Sequence, residues 1–188
     1  MAEPGGSGPI GPYPPSVSTD DDRVDYDKLR RRVLWTMPSG LYVIGSRSAD
    51  GTAKNLMTAN WVTQLSFDPK WVGVGIDAAA HTHALIEDGG CFTVCLVDRE
   101  DRAIVRKFTK PAELDADAAT LNGFAFLERV TGAPVLAQAV AFLDCEVRER
   151  VAAGNHTLFL GEIVDCDFLR DESTPVLRME DTRMNYGG

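Results

Sequence analysis

The chain has 188 residues, with 28 acidic and 19 basic side chains and a net charge of −9. That length suits one domain with a substantial core and is too short for two ordinary domains and a linker. The acidic balance excludes nucleic acid and anionic membranes as expected partners. No apolar run reaches the ~20 residues that span a bilayer, and the N-terminus has no signal-like apolar stretch, so the expected location is cytoplasmic.

Residues 1–22 contain PGGSGPIGPYPP and end on three Asp. They hold too few large apolar side chains to pack, so a disordered tail is expected there, with one domain over 23–188. Tyr26, Leu29, Val33 and Met37 then recur at helical spacing, with Arg30, Arg31 and Arg32 on the other side. This predicts an amphipathic helix ending before Pro38. Strand patterns follow at 41–46, 55–63 and 71–77, with a turn at Asp50-Gly51. In the last of these Val72, Val74 and Ile76 share one face, while Gly73 and Gly75 leave the other bare. A bare glycine face marks a bulge, a flat ligand or a crossing strand close to the backbone.

A short helix is predicted over 82–88, with Thr82 as N-cap and Gly89-Gly90 as its stop. A strand follows at 91–97. A second helix is predicted over 99–108, with Glu100 and Asp101 near its start and Arg106 and Lys107 near its end, the charge order a helix dipole prefers. Residues 110–134 read as a loop-like excursion over the barrel mouth. The last third pairs 139–151 with 157–168 as an antiparallel hairpin across a Gly154-Asn155 turn. In its first arm Ala139, Ala141, Leu143, Cys145, Val147 and Val151 line one face, and Asp144, Glu146, Arg148 and Arg150 take the other.

Many strands, short turns and short helices predict a mainly β, closed antiparallel barrel. No GxGxxG or Walker sequence follows a strand. Cys91, Cys95, Cys145 and Cys166 all lie in strand-like runs and are expected as reduced, buried thiols. A metal site built on Cys91 and Cys95 with His81 and His83 is not expected, because four residues of strand span roughly 13 Å.

Two segments carry more information: KNLMTANWVTQLSFDP at 54–69 and GNHTLFLGEIVDCDF at 154–168, with RKFTKP between them. Through these, the stretch from about 35 to 168 resembles the flavin reductase-like family, closest in tone to its flavoredoxin branch. Tyr186-Gly187-Gly188 is similar to an element near the end of such proteins. The resemblance implies an FMN-binding antiparallel split β-barrel with short flanking helices. It also implies a homodimer, for which Trp61, Phe124 and Phe126 offer apolar material, although Trp61 reads equally as core.

The activity implied is that of an NAD(P)H-dependent flavin reductase. Hydride would pass from NADH or NADPH to FMN or FAD, and the flavin would supply a partner monooxygenase or another redox protein. The alternative is a flavoredoxin-like FMN-binding electron carrier with no nicotinamide turnover. A split barrel binding another small molecule, such as haem or a deazaflavin, is a third reading.

The same resemblance implies the site. Asn55, Met57, Thr58, Ala59, Asn60 and Trp61 would lie along the isoalloxazine edge and ribityl chain. Thr58, Asn60 and Gln64 alternate within an otherwise apolar run, which suits a ligand with polar edges; the other reading has Thr58 and Asn60 facing solvent. The flavin phosphate is expected at Ala80-His81-Thr82-His83, where a helix begins with free N–H groups. Arg106 and Lys107, beside Phe108, would supply full charges there, or else merely complement a helix dipole. Many relatives have Asn where this chain has Cys95, so a flavin contact at that point would fall to backbone or water. His156 would position the nicotinamide; without the resemblance it reads as a surface turn residue.

Overall fold

A computed structural model of the chain describes residues 11–182. They fall into two compact units, 11–38 and 39–182. The Tyr-Gly-Gly element at 186–188 and residues 1–10 of the expected tail lie outside the described residues.

In the first unit, α1 spans Asp20–Leu34. It begins six residues before Tyr26, inside the stretch expected as tail. Thr19 explains the early start: its hydroxyl accepts from the Asp22 N–H while the Asp22 carboxylate reaches back to the Thr19 N–H, a reciprocal capping box. Three Asp in the first turn suit the helix dipole. Tyr13, also in the expected tail, donates to Asp27 at 2.9 Å and lies under the Arg30 guanidinium. No residue of α1 is buried, so the helix is held by caps and i,i+3 pairs.

The second unit is built on a seven-stranded antiparallel sheet. Its strands are β1 (Tyr42–Arg47), β2 (Lys54–Ala59), β3 (Val62–Gln64), β4 (Trp71–Asp77), β5 (Cys91–Leu96), β10 (Ala141–Ala153) and β11 (His156–Phe168). The spatial order is β2-β1-β5-β10-β11-β4-β3. The two edge strands, β2 and β3, are consecutive in sequence and joined by Asn60 and Trp61 alone. Three Cα steps reach at most about 11 Å, so the sheet curls until its edges meet. This is the expected split barrel, and Asn60-Trp61 is its seam.

Ile44, Val72, Val74, Ile76, Phe92, Val94, Cys145 and Phe159 fill the barrel interior, each at most 3% exposed. Ile86 of α2 (His81–Gly89) joins the same cluster. The β10–β11 hairpin runs in register from Ala141↔Phe168 to Ala153↔His156, with irregularities after Asp144 and Val147. Gly154 makes the turn at φ 66°.

Two expectations about the middle of the chain fail. Residues 110–134 are not a loop over the barrel mouth. They form β6 (Leu114–Asp115), β7 (Thr120–Leu121), β8 (Phe124–Glu128) and, closing on Pro134–Leu136, β9, a small antiparallel sheet. Its last part lies on the outside of the barrel: the Thr93 hydroxyl donates to the Pro134 carbonyl at 2.6 Å, and the Leu136 N–H reaches Cys95 Sγ at 3.3 Å. The polar face expected for β10 is therefore covered at Asp144, where the turn leading into β9 crosses it. Asp144 is fully buried, taking the Thr131 N–H at 2.9 Å and the Thr131 hydroxyl at 2.5 Å.

The helix expected over 99–108 is instead two 3₁₀ segments, Arg99–Asp101 and Ile104–Phe108. The Val105 carbonyl accepts from the Thr58 hydroxyl at 2.5 Å, which ties the second segment to β2. Cys91, Cys95 and Cys145 are buried as expected, but Cys166 is exposed.

Candidate active site

The seam gathers the chain's most unusual surroundings. The Trp61 carbonyl accepts from the Gly75 N–H at 2.9 Å, and the Trp61 side chain lies on Gly75, where an added Cβ would sit 3.4 Å from it. Leu65 does the same at Gly73, at 2.9 Å. The bare glycine face thus receives side chains from the crossing segment, the last of the three readings left open.

Trp61 stays 42% exposed, its ring 4.6 Å from that of His156 and tilted by 53°. His156 heads β11 opposite Asp77, and its Nδ1 lies 2.8 Å from Asn155 Oδ1. With an amide oxygen as partner, Nδ1 carries the proton, leaving Nε2 as the free nitrogen. One residue on, the Thr157 hydroxyl meets His83 Nε2 at 2.8 Å, and the His83 ring lies 5.1 Å from Phe159. The β3 approach, the first turn of α2 and the head of β11 thereby meet.

Asn60 is 7% exposed, and its Oδ1 is buried with no hydrogen-bond partner among the described residues. A buried acceptor without a donor costs about 1–3 kcal/mol. Ser46 Oγ and Trp71 Nε1 are likewise unpaired, but they sit on β1 and β4, strands flanked on both sides. Asn60 lies between two edges, and among the described residues β2 pairs only with β1, leaving its other side without a strand partner. A ring system with N–H and carbonyl groups along one edge and apolar faces fits this arrangement: Asn60 and the β2 edge meet its polar rim, and Trp61 its surface.

The other expected residues divide sharply. Asn55 is a tie: Nδ2 donates to Thr82 Oγ1 at 2.8 Å, and Oδ1 accepts from the Ala112 N–H at 2.8 Å. Thr58 spends its hydroxyl on Val105. Neither faces solvent. Met57 and Ala59 pack against the barrel core. Thr82 is 1% exposed and engaged with Asn55, so it is not the cap of α2. Ala80 is the N-cap and makes no side-chain cap bond, so the first-turn N–H groups have no side-chain acceptor. His81 is exposed beside them.

Arg106 and Lys107 are exposed, with no side-chain ion pair among the described residues. Asn55 and Thr58 hold the 105–112 segment and α2 to the same strand, so these cations and the α2 N-terminus both flank β2.

Cys95 and Phe108 do not line the seam. Cys95 points outward from the barrel under β9, and burial pushes its thiol up to about 11. Phe108 is fully buried and packs edge-on against Phe124 at 5.5 Å. Asn155 and Thr157 escaped the sequence reading as site residues, although each adjoins His156 in the quoted segment. That adjacency was the available signal.

Residues 34–187 match the family model for the flavin reductase like domain. The chain is 30% identical over 159 residues to the NADH-dependent FAD reductase of Streptomyces globisporus, covering 83% of this chain and 82% of that protein. It is 32% identical over 136 residues to the ferric-chelate reductase (NAD(P)H) of Archaeoglobus fulgidus, covering 70% and 77%. A solved structure of the Streptomyces globisporus C-1027 NADH:FAD oxidoreductase in complex with NAD and FAD fragments superposes with a TM-score of 0.68 at 26% identity, over 82% of this chain and 88% of that one. With the split barrel, the seam and these matches in agreement, the chain belongs to the flavin reductase-like family.

Proposed function

We propose that the protein is an NAD(P)H-dependent flavin reductase that moves hydride from a nicotinamide to FMN or FAD and hands reduced flavin to a partner monooxygenase or other redox protein. Family membership makes it an oxidoreductase with flavin and nicotinamide as its cofactor pair. The observation that carries the specific reading is the Trp61–His156 ring pair beside the unpaired Asn60 oxygen.

Each residue has a defined task. Asn60 Oδ1 accepts an N–H from the flavin rim, and the free edge of β2 meets the remaining polar groups. Trp61 excludes water from one side of the cleft. The first turn of α2, with Arg106 and Lys107, receives the phosphate. Asn155 fixes the His156 ring so that Nε2 is presented to the nicotinamide carboxamide. Bound flavin supplies the hydride acceptor, and the chain supplies orientation. A second copy of the chain covers the exposed Leu65 and Phe67 beside the seam, giving a homodimer.

The test is an absorption spectrum of the purified protein, repeated anaerobically with NADH or NADPH and added FMN. Flavin bands near ~370 and ~450 nm and bleaching by nicotinamide are expected. His156→Ala lowers kcat/KM for the nicotinamide about 10- to 100-fold and leaves flavin affinity unchanged. A bound flavin that neither nicotinamide reduces would sink the reductase reading and leave the electron carrier.

A further inference from the structure

The segment 98–110 carries five cations, Arg99, Arg102, Arg106, Lys107 and Lys110, against three carboxylates, Asp98, Glu100 and Asp101. Left to itself this stretch would neutralise much of its own positive charge. It does not, because a strap from the C-terminal end of the described chain intervenes. Arg170 Nη1 meets Asp98 Oδ2 at 2.7 Å, and Nη2 meets Asp101 Oδ2 at 3.0 Å. Arg99 is drawn away to Asp181 at 2.9 Å. What remains within the segment is four cations, with no side-chain ion pair among the described residues, against one carboxylate, Glu100.

The strap is a built element. The Arg99 N–H donates to the Pro175 carbonyl at 2.9 Å and the Leu177 N–H to the Val97 carbonyl at 2.8 Å, while Leu177 is 1% exposed. The Arg170 guanidinium is two-thirds covered and Asp98 more so, so this pair is less screened than an open surface pair. Asp98 has a second duty, its Oδ1 capping the Glu100 N–H at 2.9 Å where the first 3₁₀ segment starts. One guanidinium therefore fixes the start of the segment and its charge together.

Arg106 lies five positions after Asp101, about 10 Å at the 3₁₀ rise and comparable to the Debye length at physiological salt. A carboxylate released at Asp101 would act directly on the cations that follow.

We propose that Arg170 is a positioning residue for nucleotide binding: by taking both Asp98 and Asp101, it leaves Arg102, Arg106, Lys107 and Lys110 uncompensated for the phosphate of a flavin nucleotide. This rests on the reading above that the 105–112 side of β2 receives that phosphate. Arg170 itself touches neither phosphate nor ring. Its effect is on affinity for phosphorylated flavin and not on the hydride step.

Fluorescence titration of the full chain with FMN and with riboflavin, which lacks the phosphate, tests it. Arg170→Ala weakens FMN about tenfold and riboflavin less than about twofold; Arg170→Lys retains part of the FMN affinity. Adding Asp98→Asn and Asp101→Asn to Arg170→Ala restores FMN binding, because the liberated charges are then gone. Should Arg170→Ala fold poorly, Asp98→Asn/Asp101→Asn with Arg170 intact still decides, since it must hold or tighten FMN. An unchanged FMN affinity in Arg170→Ala, equal loss of FMN and riboflavin, or failure of the Asn rescue each overturns the proposal. Arg106→Ala/Lys107→Ala runs alongside. If that pair weakens FMN while Arg170→Ala does not, only this inference falls; if that pair spares FMN, the phosphate reading falls and takes the inference with it.

Discussion

Asp144 and Asn60 are both buried polar residues, 0% and 7% exposed, and the molecule treats them in opposite ways. Around Asp144 every partner is in place. Thr131 donates twice to it, Arg47 Nε donates to the Thr131 carbonyl at 2.6 Å, and Thr93 and Cys95 engage β9 a few residues on. Around Asn60, among the described residues, the amide oxygen has no donor and the outer edge of β2 no strand partner, and the neighbouring Trp61 is half out in solvent. Buried polar groups in folded proteins are almost always satisfied. A satisfied cluster between two layers is therefore architecture, and an unsatisfied one at an open seam is room kept for a ligand. The contrast predicts that changes in the outer layer cost stability and changes at the seam cost binding.

The largest expected effect lies at the interlayer contact. A Cβ at Gly45 would strike the Pro134 carbonyl and the Thr93 hydroxyl. One obstacle is backbone and the other is already hydrogen-bonded to it, so neither yields easily. Gly45→Ala should lift β9 from the barrel and cost more than about 4 kcal/mol, the range reserved for gross packing faults. Denaturant unfolding would register this as a collapse of the midpoint. A variant unfolding within a few tenths molar of the parent would mean that β9 is not pressed on β1 as described.

Next in size is Asp144→Ala, which strands the Thr131 N–H and hydroxyl and should cost about 2–3 kcal/mol with flavin affinity unaltered. Asp144→Asn should cost less and also change the pH profile. Burial holds the Asp144 carboxyl above its usual value. A folded-state pKa raised above the unfolded one, about 3.9, gives stability that is complete below that value and is lost as pH rises through the raised one. The Asn variant lacks this component, so its stability should fall less than the parent's from about pH 4 upward. Superimposable pH profiles for the two would show that Asp144 is not the titrating group.

The contrast also explains what the sequence could disclose. Period-two alternation identified β4 over Trp71–Asp77 and placed Leu143, Cys145 and Val147 toward the core, because side-chain direction along a strand is local. It misjudged Asp144 because alternation says which face a residue takes and not whether another layer covers that face. Thr58 was legible as a polar group in an apolar run and Asn55 through the resemblance, yet their partners, Val105, Thr82 and Ala112, lie 27 to 57 residues away. Gly73 and Gly75 announced a close approach, and only topology could assign it to Leu65 and Trp61. His156 and Asn60 were readable through the resemblance; the ring pair and the unpaired oxygen that single them out needed coordinates.

The smallest effect on folding should come from Asn60→Ala, and this variant tests the comparison most directly. If the Oδ1 atom were part of the architecture, losing it would cost as much as losing Asp144. Because it has no partner, its removal also removes a desolvation penalty, and stability should stay within about 0.5 kcal/mol of the parent. Affinity for FMN should drop about tenfold, the worth of one lost ligand hydrogen bond in a partly dry site. At Asn60 affinity falls while stability holds, the reverse of the pattern expected at Asp144. Equal FMN affinity in parent and Asn60→Ala would return that oxygen to the class of tolerated defects, alongside Ser46 Oγ, and the seam would have to be argued from Trp61 and His156 alone.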